Sequence, residues 1–143
     1  MNERALNYLG LAKKAGSLQV GDEMVGAAVR AGHARLVVVA SDAGDHTLRR
    51  AANLAKSWNT QLLRAPWTKE ELGLTLGARS CALAAFTEPR LALACLQALD
   101  PPPEQALLDT LTQQVQRADQ RQTEARAHEK NRKHTAVRRK RTK

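Results

Sequence analysis

Two short runs, Leu36-Val37-Val38-Val39-Ala40 and Cys81-Ala82-Leu83-Ala84-Ala85-Phe86, are apolar at every position and bounded by polar residues. A strand covered on one face alternates polar and apolar side chains, whereas a strand covered on both faces does not. Neither run approaches the ~20 residues that a membrane span requires. A chain built around them needs a sheet with structure layered on each side, and the intervening sequence offers helices for both layers.

Those helices are legible from their stripes. Glu3 to Ala15 places Ala5, Leu6, Leu9 and Ala12 on one face, and Gly16 stops it before an extended piece, Ser17 to Val20. A second helix starts near Gly21-Asp22-Glu23, where acidic residues suit the positive helix end. It buries Met24, Val25, Ala28 and Val29 and closes at Gly32. After a loop over residues 41–45, Thr47 is the expected cap of a third helix, with Leu48, Ala51, Ala52, Ala55 and Trp58 inward. Gln61 to Arg64 reads as a further strand. Thr68-Lys69-Glu70-Glu71 matches a capping box opening a short helix that ends near Gly77. Pro89 sits at a favoured first-turn position of a last helix, with Leu91, Ala94, Cys95 and Ala98 inward. Helix and strand alternate, which predicts an α/β fold: a three-layer α/β/α sandwich around a small mixed sheet of about four strands. Only Tyr8, Trp58, Trp67 and Phe86 are aromatic, so its core is built from Leu, Val and Ala.

Asp100-Pro101-Pro102-Pro103 marks a boundary, because three prolines cannot continue a helix. The predicted division is a body over residues 1–99, a proline linker over 100–103 and a helical arm with a basic tail over 104–143. The arm carries an apolar stripe (Ala106, Leu107, Leu108, Leu111, Val115, Ala118) for about four turns and is helix-prone to about Lys130. From Asn131 onward the composition predicts disorder until a partner binds. Charge follows the same division. Up to Thr112, 12 Lys and Arg face 11 Asp and Glu, a net of +1; from Gln113 onward, 11 face 3, a net of +8. Nearly all of the chain's +9 excess is gathered at one end, as expected for a protein whose partner is a polyanion, RNA above all.

The ordered series Leu9-Gly10-Leu11-Ala12, Ala15-Gly16, Val20-Gly21-Asp22-Glu23-Met24-Val25 and Ala31-Gly32-His33-Ala34-Arg35, running on into Leu36 to Asp42, resembles the L7Ae/L30e superfamily of ribosomal and kink-turn-binding proteins. Leu72-Gly73, Gly77 and the run to Phe86 continue the likeness, which covers roughly Asn2 to Leu99 and is nearest to small bacterial YlxQ-like members. The resemblance implies a non-enzymatic RNA-binding protein of the ribosome or of other structured RNA. The family reads RNA at the start of its second helix, where a glycine is followed by asparagine, glutamate and a later lysine. Gly21 matches the glycine, while Glu23, Met24 and Ala27 occupy the other three positions, and Gln19 and Val20 stand where basic residues precede it. A carboxylate is not an amide that both donates and accepts, so the RNA target does not follow from the fold.

The expected RNA-binding residues are Lys13, Lys14, Gly21, Asp22, Glu23, Trp67 and Lys69 in the body, and Arg132, Lys133, Arg138, Arg139, Lys140 and Arg141 in the tail. Each has a plainer reading. Asp22 can cap its helix, Lys13 and Lys14 suit a helix C-terminus, and Trp67 can fold back as a lid on the core instead of stacking on a base. Trp58 reads as core, and Cys81 and Cys95 as buried thiols. His33 and His46 fall in loops, and His128 and His134 in the arm; none has a partner at metal-ligand spacing. No catalytic constellation, phosphate loop or GxGxxG is present, so neither enzymatic activity, cofactor nor metal is expected. The N-terminus lacks the layout of a secretory signal, and two unpaired cysteines fit a reducing compartment. A cytoplasmic protein without membrane association is predicted, with RNA and the ribosome or its proteins as partners. Two rivals stand beside this reading. In one, the stripe Leu107, Leu108, Leu111 and Val115 docks another protein; in the other, the chain is the RNA-recognition domain of a modification enzyme.

Overall fold

The computed structural model describes the backbone of residues 2–141 and the side chains of residues 2–130. In chain order the elements are α1 (Glu3–Lys14), β1 (Leu18–Val20), α2 (Asp22–Arg30), β2 (Leu36–Val39), α3 (Asp45–Ser57), β3 (Gln61–Arg64), α4 (Lys69–Leu76), β4 (Leu83–Phe86), α5 (Pro89–Gln97) and α6 (Gln105–Arg141). The four strands form one mixed sheet in the order β1-β4-β2-β3. β4 runs antiparallel to both neighbours, pairing Phe86 with Leu18 on one side and with Leu36 on the other, while β3 is parallel to β2.

Each central strand feeds two cores at once. Leu36, Val38 and Ala40 of β2 and its exit, with Ala84 and Phe86 of β4, join the layer made by α1, α4, α5 and the start of α6. The alternate residues Val37, Val39, Leu83 and Ala85 face α2 and α3. Burying a Val, Leu or Phe fully is worth ~1.5–3 kcal/mol, and a slip of one residue would exchange both sets, so the register is fixed from both sides. The fold is the three-layer α/β arrangement that the apolar runs require.

Local signals also appear where the sequence puts them. Thr68 and Glu71 form a reciprocal capping box at α4, and Gly77 ends that helix at φ 75°. Glu88 caps α5 by accepting from the Leu91 N–H at 3.0 Å, with Pro89 in its first turn.

The placements of Trp58, Met24, His46, Thr47 and Ala52, and the stripe of the last body helix, differ from expectation. Trp58 is 51% exposed, not core; α3 ends at Ser57, and Trp58 at φ −110° has left the helical repeat, so the inward stripe no longer reaches it. Met24 is 53% exposed, because α2 turns Val25, Ala28 and Val29 inward. α3 begins at Asp45 with Gly44 before it, so His46 lies in its first turn and Thr47 caps nothing. Ala52 is exposed, and α3 buries Ala51 and Ala55. On α5 the buried line is Ala92, Cys95 and Leu96, with Leu91 and Ala98 packed at its sides. A helix lying between α1 and α6 is covered on more than one face, so a single stripe under-describes it.

The near half of α6 lies against α5. Leu111 is fully buried, and Leu107 and Leu108 pack against the core. The stripe that a partner protein would have needed is covered by the chain's own body. One turn beyond it, Arg90 of α5 pairs with Glu88 at 2.9 Å and with Asp119 of α6, and also reaches Gln122. From Arg121 to Lys130 every side chain is exposed. The helix is traced to Arg141, past the point where the sequence predicts order to end. The side chains of Arg132, Lys133, Arg138, Arg139, Lys140 and Arg141 lie outside the described residues.

Leu111→Ala is therefore expected to destabilise the fold by about 2–5 kcal/mol, as other buried Leu truncations do. Amide protection should be lost first along α6. Chemical denaturation and hydrogen exchange of the variant check this; unchanged exchange in α6 would contradict the docking of the arm through Leu111.

Candidate nucleic-acid interface

Topology brings the chain-exit ends of β1, β2 and β3 and the entry of β4 to one end of the sheet. Gly21, Asp42, Trp67 and Cys81 belong to the connections there, and Lys69 begins the helix that follows one of them. Gly21 sits at φ 94°, ψ 158°, a conformation glycine adopts without steric cost. Its N–H donates to the Leu83 carbonyl at 2.9 Å, continuing the β1–β4 pairing one step past β1, and its carbonyl accepts from Val25 at 3.0 Å. The first turn of α2 begins directly at this edge.

No side chain caps that turn. Asp22, which sequence reasoning offers as the cap, instead accepts from the Arg50 guanidinium of α3 at 2.7 Å, both side chains being about half exposed. Exposed pairs of this kind contribute ~1 kcal/mol or less, so their meaning is positional: they tie α2 to α3. Glu23 is exposed beside them.

Lys13 reaches from α1 to the other wall. Its ammonium donates to the Leu76 carbonyl at the end of α4, next to Gly77. Between the two walls lies Cys81, whose buried thiol donates to Leu83 at 3.3 Å. Burial pushes that thiol up from its ordinary range, more than the Leu83 hydrogen bond lowers it; the Asp22 carboxylate adds to the rise and the Lys13 ammonium opposes it. Lys14 is exposed at the end of α1. Cys95, in the core, is pushed up to about 12 by burial alone.

Lys69 opens α4. Its N–H donates to the Asp42 carboxylate at 2.7 Å and its carbonyl accepts from Cys81 at 2.9 Å, which binds three connections together. Trp67 takes a different part from the one proposed for it. The ring is 1% exposed, its Nε1–H donates to the Asn2 carbonyl at 3.3 Å, and its own carbonyl accepts from Ser41. The indole fills the core beneath the connection and offers no face to a base. Trp67 is thus removed from the set of RNA-contacting residues: an indole this large gains more from burial than from exposure at the rim.

Sequence reasoning missed Arg79, which is exposed in the connection from Gly77 to Ser80 that completes this edge. That connection folds closely onto α4. A Cβ on Gly73 would lie 2.7 Å from the Ser80 Cα, and the Ala78 N–H donates to the Gly73 carbonyl at 2.7 Å. The pair Gly73 and Gly77 was the available signal. Among the described residues, no group of three or more His, Cys, Asp or Glu could hold a metal ion, and no helix is long and apolar enough to cross a membrane.

A mixed four-stranded sheet between helical layers, with a glycine-initiated helix start at the sheet end, defines a class of small α/β proteins shared by many chains. The particular family follows from comparison. The ribosomal protein L7Ae/L30e/S12e/Gadd45 family model matches residues 3–95, and the chain belongs to that family. The match ends before the prolines, so α6 lies outside it. Among solved structures, a protein of unknown function from Bacillus halodurans C is 26% identical, at a TM-score of 0.60 over 68% of this chain and 97% of that one. A 15.5 kD RNA-binding protein from Giardia lamblia is 16% identical, at a TM-score of 0.57 over 73% of this chain and 88% of that one, a likeness of fold. No curated protein is significantly similar in sequence.

Trp67→Ala is expected to cost about 3–5 kcal/mol of stability, whereas Trp67→Phe, which keeps most of the buried ring, should remain folded at room temperature. Urea unfolding of both checks this. A Trp67→Ala variant as stable as the parent would put the ring outside the core.

Proposed function

We propose that this protein is a cytoplasmic, ribosome-associated RNA-binding protein of the YlxQ-like kind, and that it binds without making or breaking a bond. In this reading the body over residues 1–99 presents the edge of Lys13, Lys14, Gly21, Asp22, Glu23 and Lys69 to a structured RNA. A linker over 100–103 then leads to an arm over 104–143, whose Arg132, Lys133, Arg138, Arg139, Lys140 and Arg141 meet phosphates without regard to sequence. Positioning by phosphate contacts and reading by the body are separate tasks in nucleic-acid binders generally.

The observation that carries the proposal is the separation of charge: +1 up to Thr112 and +8 beyond it, on a body that belongs to a family of ribosomal proteins. The 15.5 kD neighbour, described as RNA-binding, supports the same reading. A kink-turn is the natural model RNA, with one qualification in the residues themselves. Glu23, Met24 and Ala27 lack the amide and the lysine that the L7Ae/L30e pattern places there, so the body's target is a shaped RNA read by different contacts.

Binding of the full chain and of residues 1–112 to a kink-turn RNA and to ribosomal RNA fragments tests the proposal across a salt series. If half of the 11 removed cations meet phosphates, the full chain's log K should fall with log salt about four to five units more steeply than the truncated chain's. Equal affinity and equal slope would refute the role of the arm. A full chain indifferent to every structured RNA at low salt would refute the function.

A further inference from the structure

Beside the edge described above, the surface between α2 and α3 opens into a cleft of about 230 Å³. Its floor is apolar, with Leu54 and Leu83, and its polar groups are Asp22 and Arg30 from α2 and Thr47 and Arg50 from α3. Two guanidinium groups and one carboxylate leave a single positive charge in a concave site. Arg50 spends part of its five-donor fork on Asp22 at 2.7 Å and keeps donors free. Arg30 makes no hydrogen bond or ion pair among the described residues.

An unpaired arginine at the end of a helix ordinarily extends into water. Arg30 instead lies back along its own helix over Gly26: a Cβ placed on Gly26 would come 3.2 Å from Nη1 and 3.3 Å from Nη2. Arg30 follows Gly26 by four residues, so the two stand on the same face of α2. The absence of a side chain at Gly26 is what lets the guanidinium settle against the cleft wall. A planar fork held against a wall, a second arginine opposite and a hydroxyl from Thr47 match the oxygens of one phosphate group. The volume lies below the ~300–1,000 Å³ that encloses a whole drug-sized ligand, so the occupant is one group of a larger molecule or a small free anion.

We infer that the α2–α3 cleft is a phosphate subsite in which Arg30 and Arg50 hold one phosphate, supplied by the backbone of bound RNA or by a free phosphate. The RNA source rests on the function proposed above; the site's anion chemistry does not. Because Asp22 belongs both to this cleft and to the first turn of α2, a strand crossing the helix start runs directly into it.

The test uses the full chain and its variants Arg30→Gln, Arg50→Gln, Gly26→Ala and Arg49→Gln, the last being exposed on α3 but outside the cleft. With a structured RNA, Arg30→Gln should weaken binding about tenfold and lower the salt slope by about one. Gly26→Ala should weaken binding in the same direction although the net charge is unchanged, and Arg49→Gln should do much less. Independently, titration with inorganic phosphate followed by amide chemical shifts should move the signals of Gly26 and Thr47, and Arg30→Gln should abolish the movement. An RNA effect without phosphate-induced shifts assigns the site to the RNA backbone; shifts without an RNA effect assign it to a free anion. Loss equal in Arg49→Gln and Arg30→Gln, together with no shifts, overturns the site. RNA binding absent in every protein, with the phosphate shifts present, overturns the function and leaves the subsite standing.

Discussion

The fold depends on two central strands, β2 and β4, whose every side chain is buried. Successive residues belong to different cores, so neither helical layer can pack without the other. The edge strands are bound less strictly: β3 has one exposed and two half-buried residues. Everything of functional interest hangs from the ends of the inner pair. Gly21 is held by the Leu83 carbonyl, Cys81 leads into β4, and Asp42 follows β2. A rigid sheet thereby sets the position of a helix start and three connections, which are themselves tied down by the buried Trp67 and Cys81.

Those parts of the fold that were readable from sequence are the parts where one physical rule acts alone. Uninterrupted apolar runs identified β2 and β4, the Thr68–Glu71 box identified the start of α4, and Pro89 identified that of α5. Where two rules compete, the sequence misleads. Trp58 sits at the correct spacing for α3's stripe but one residue past its end. The single stripe assigned to α5 omits the second face that α6 covers, a fact available only once the arm's destination is known. Trp67, in a connection rich in polar neighbours, reads equally as a rim or a core residue, and only the three-dimensional placement of Asn2 beneath it decides.

The candidate interface was partly legible for the same reason. Gly21 and its acidic neighbours announced a helix start, yet nothing in the sequence pairs Asp22 with Arg50, 28 residues away. That pairing turns a nominal cap into a strut between α2 and α3, leaves the first turn of α2 without a side-chain cap, and forms one rim of the cleft holding Arg30. Long-range ionic partners of this kind carry no local signature. Neither does the approach of Lys13 to Leu76, which closes the opposite wall.

The docking of α6 through Leu111, secured about two turns further on by Arg90, turns the cationic extension from a loose thread into a boom. From Leu111 to Lys130 the helix advances about 28 Å at 1.5 Å per residue, and every side chain from Arg121 to Lys130 is exposed. Its anchorage fixes the bearing along which Arg121, Arg126 and Lys130 are carried away from the sheet. Charges mounted on a boom do not search a sphere of positions as those on a flexible thread do; they arrive at set intervals along one line. On the function proposed above, a polyanion gripped at both places would be measured as well as held, and a surface lacking charge at the right separation would keep only one of the two grips.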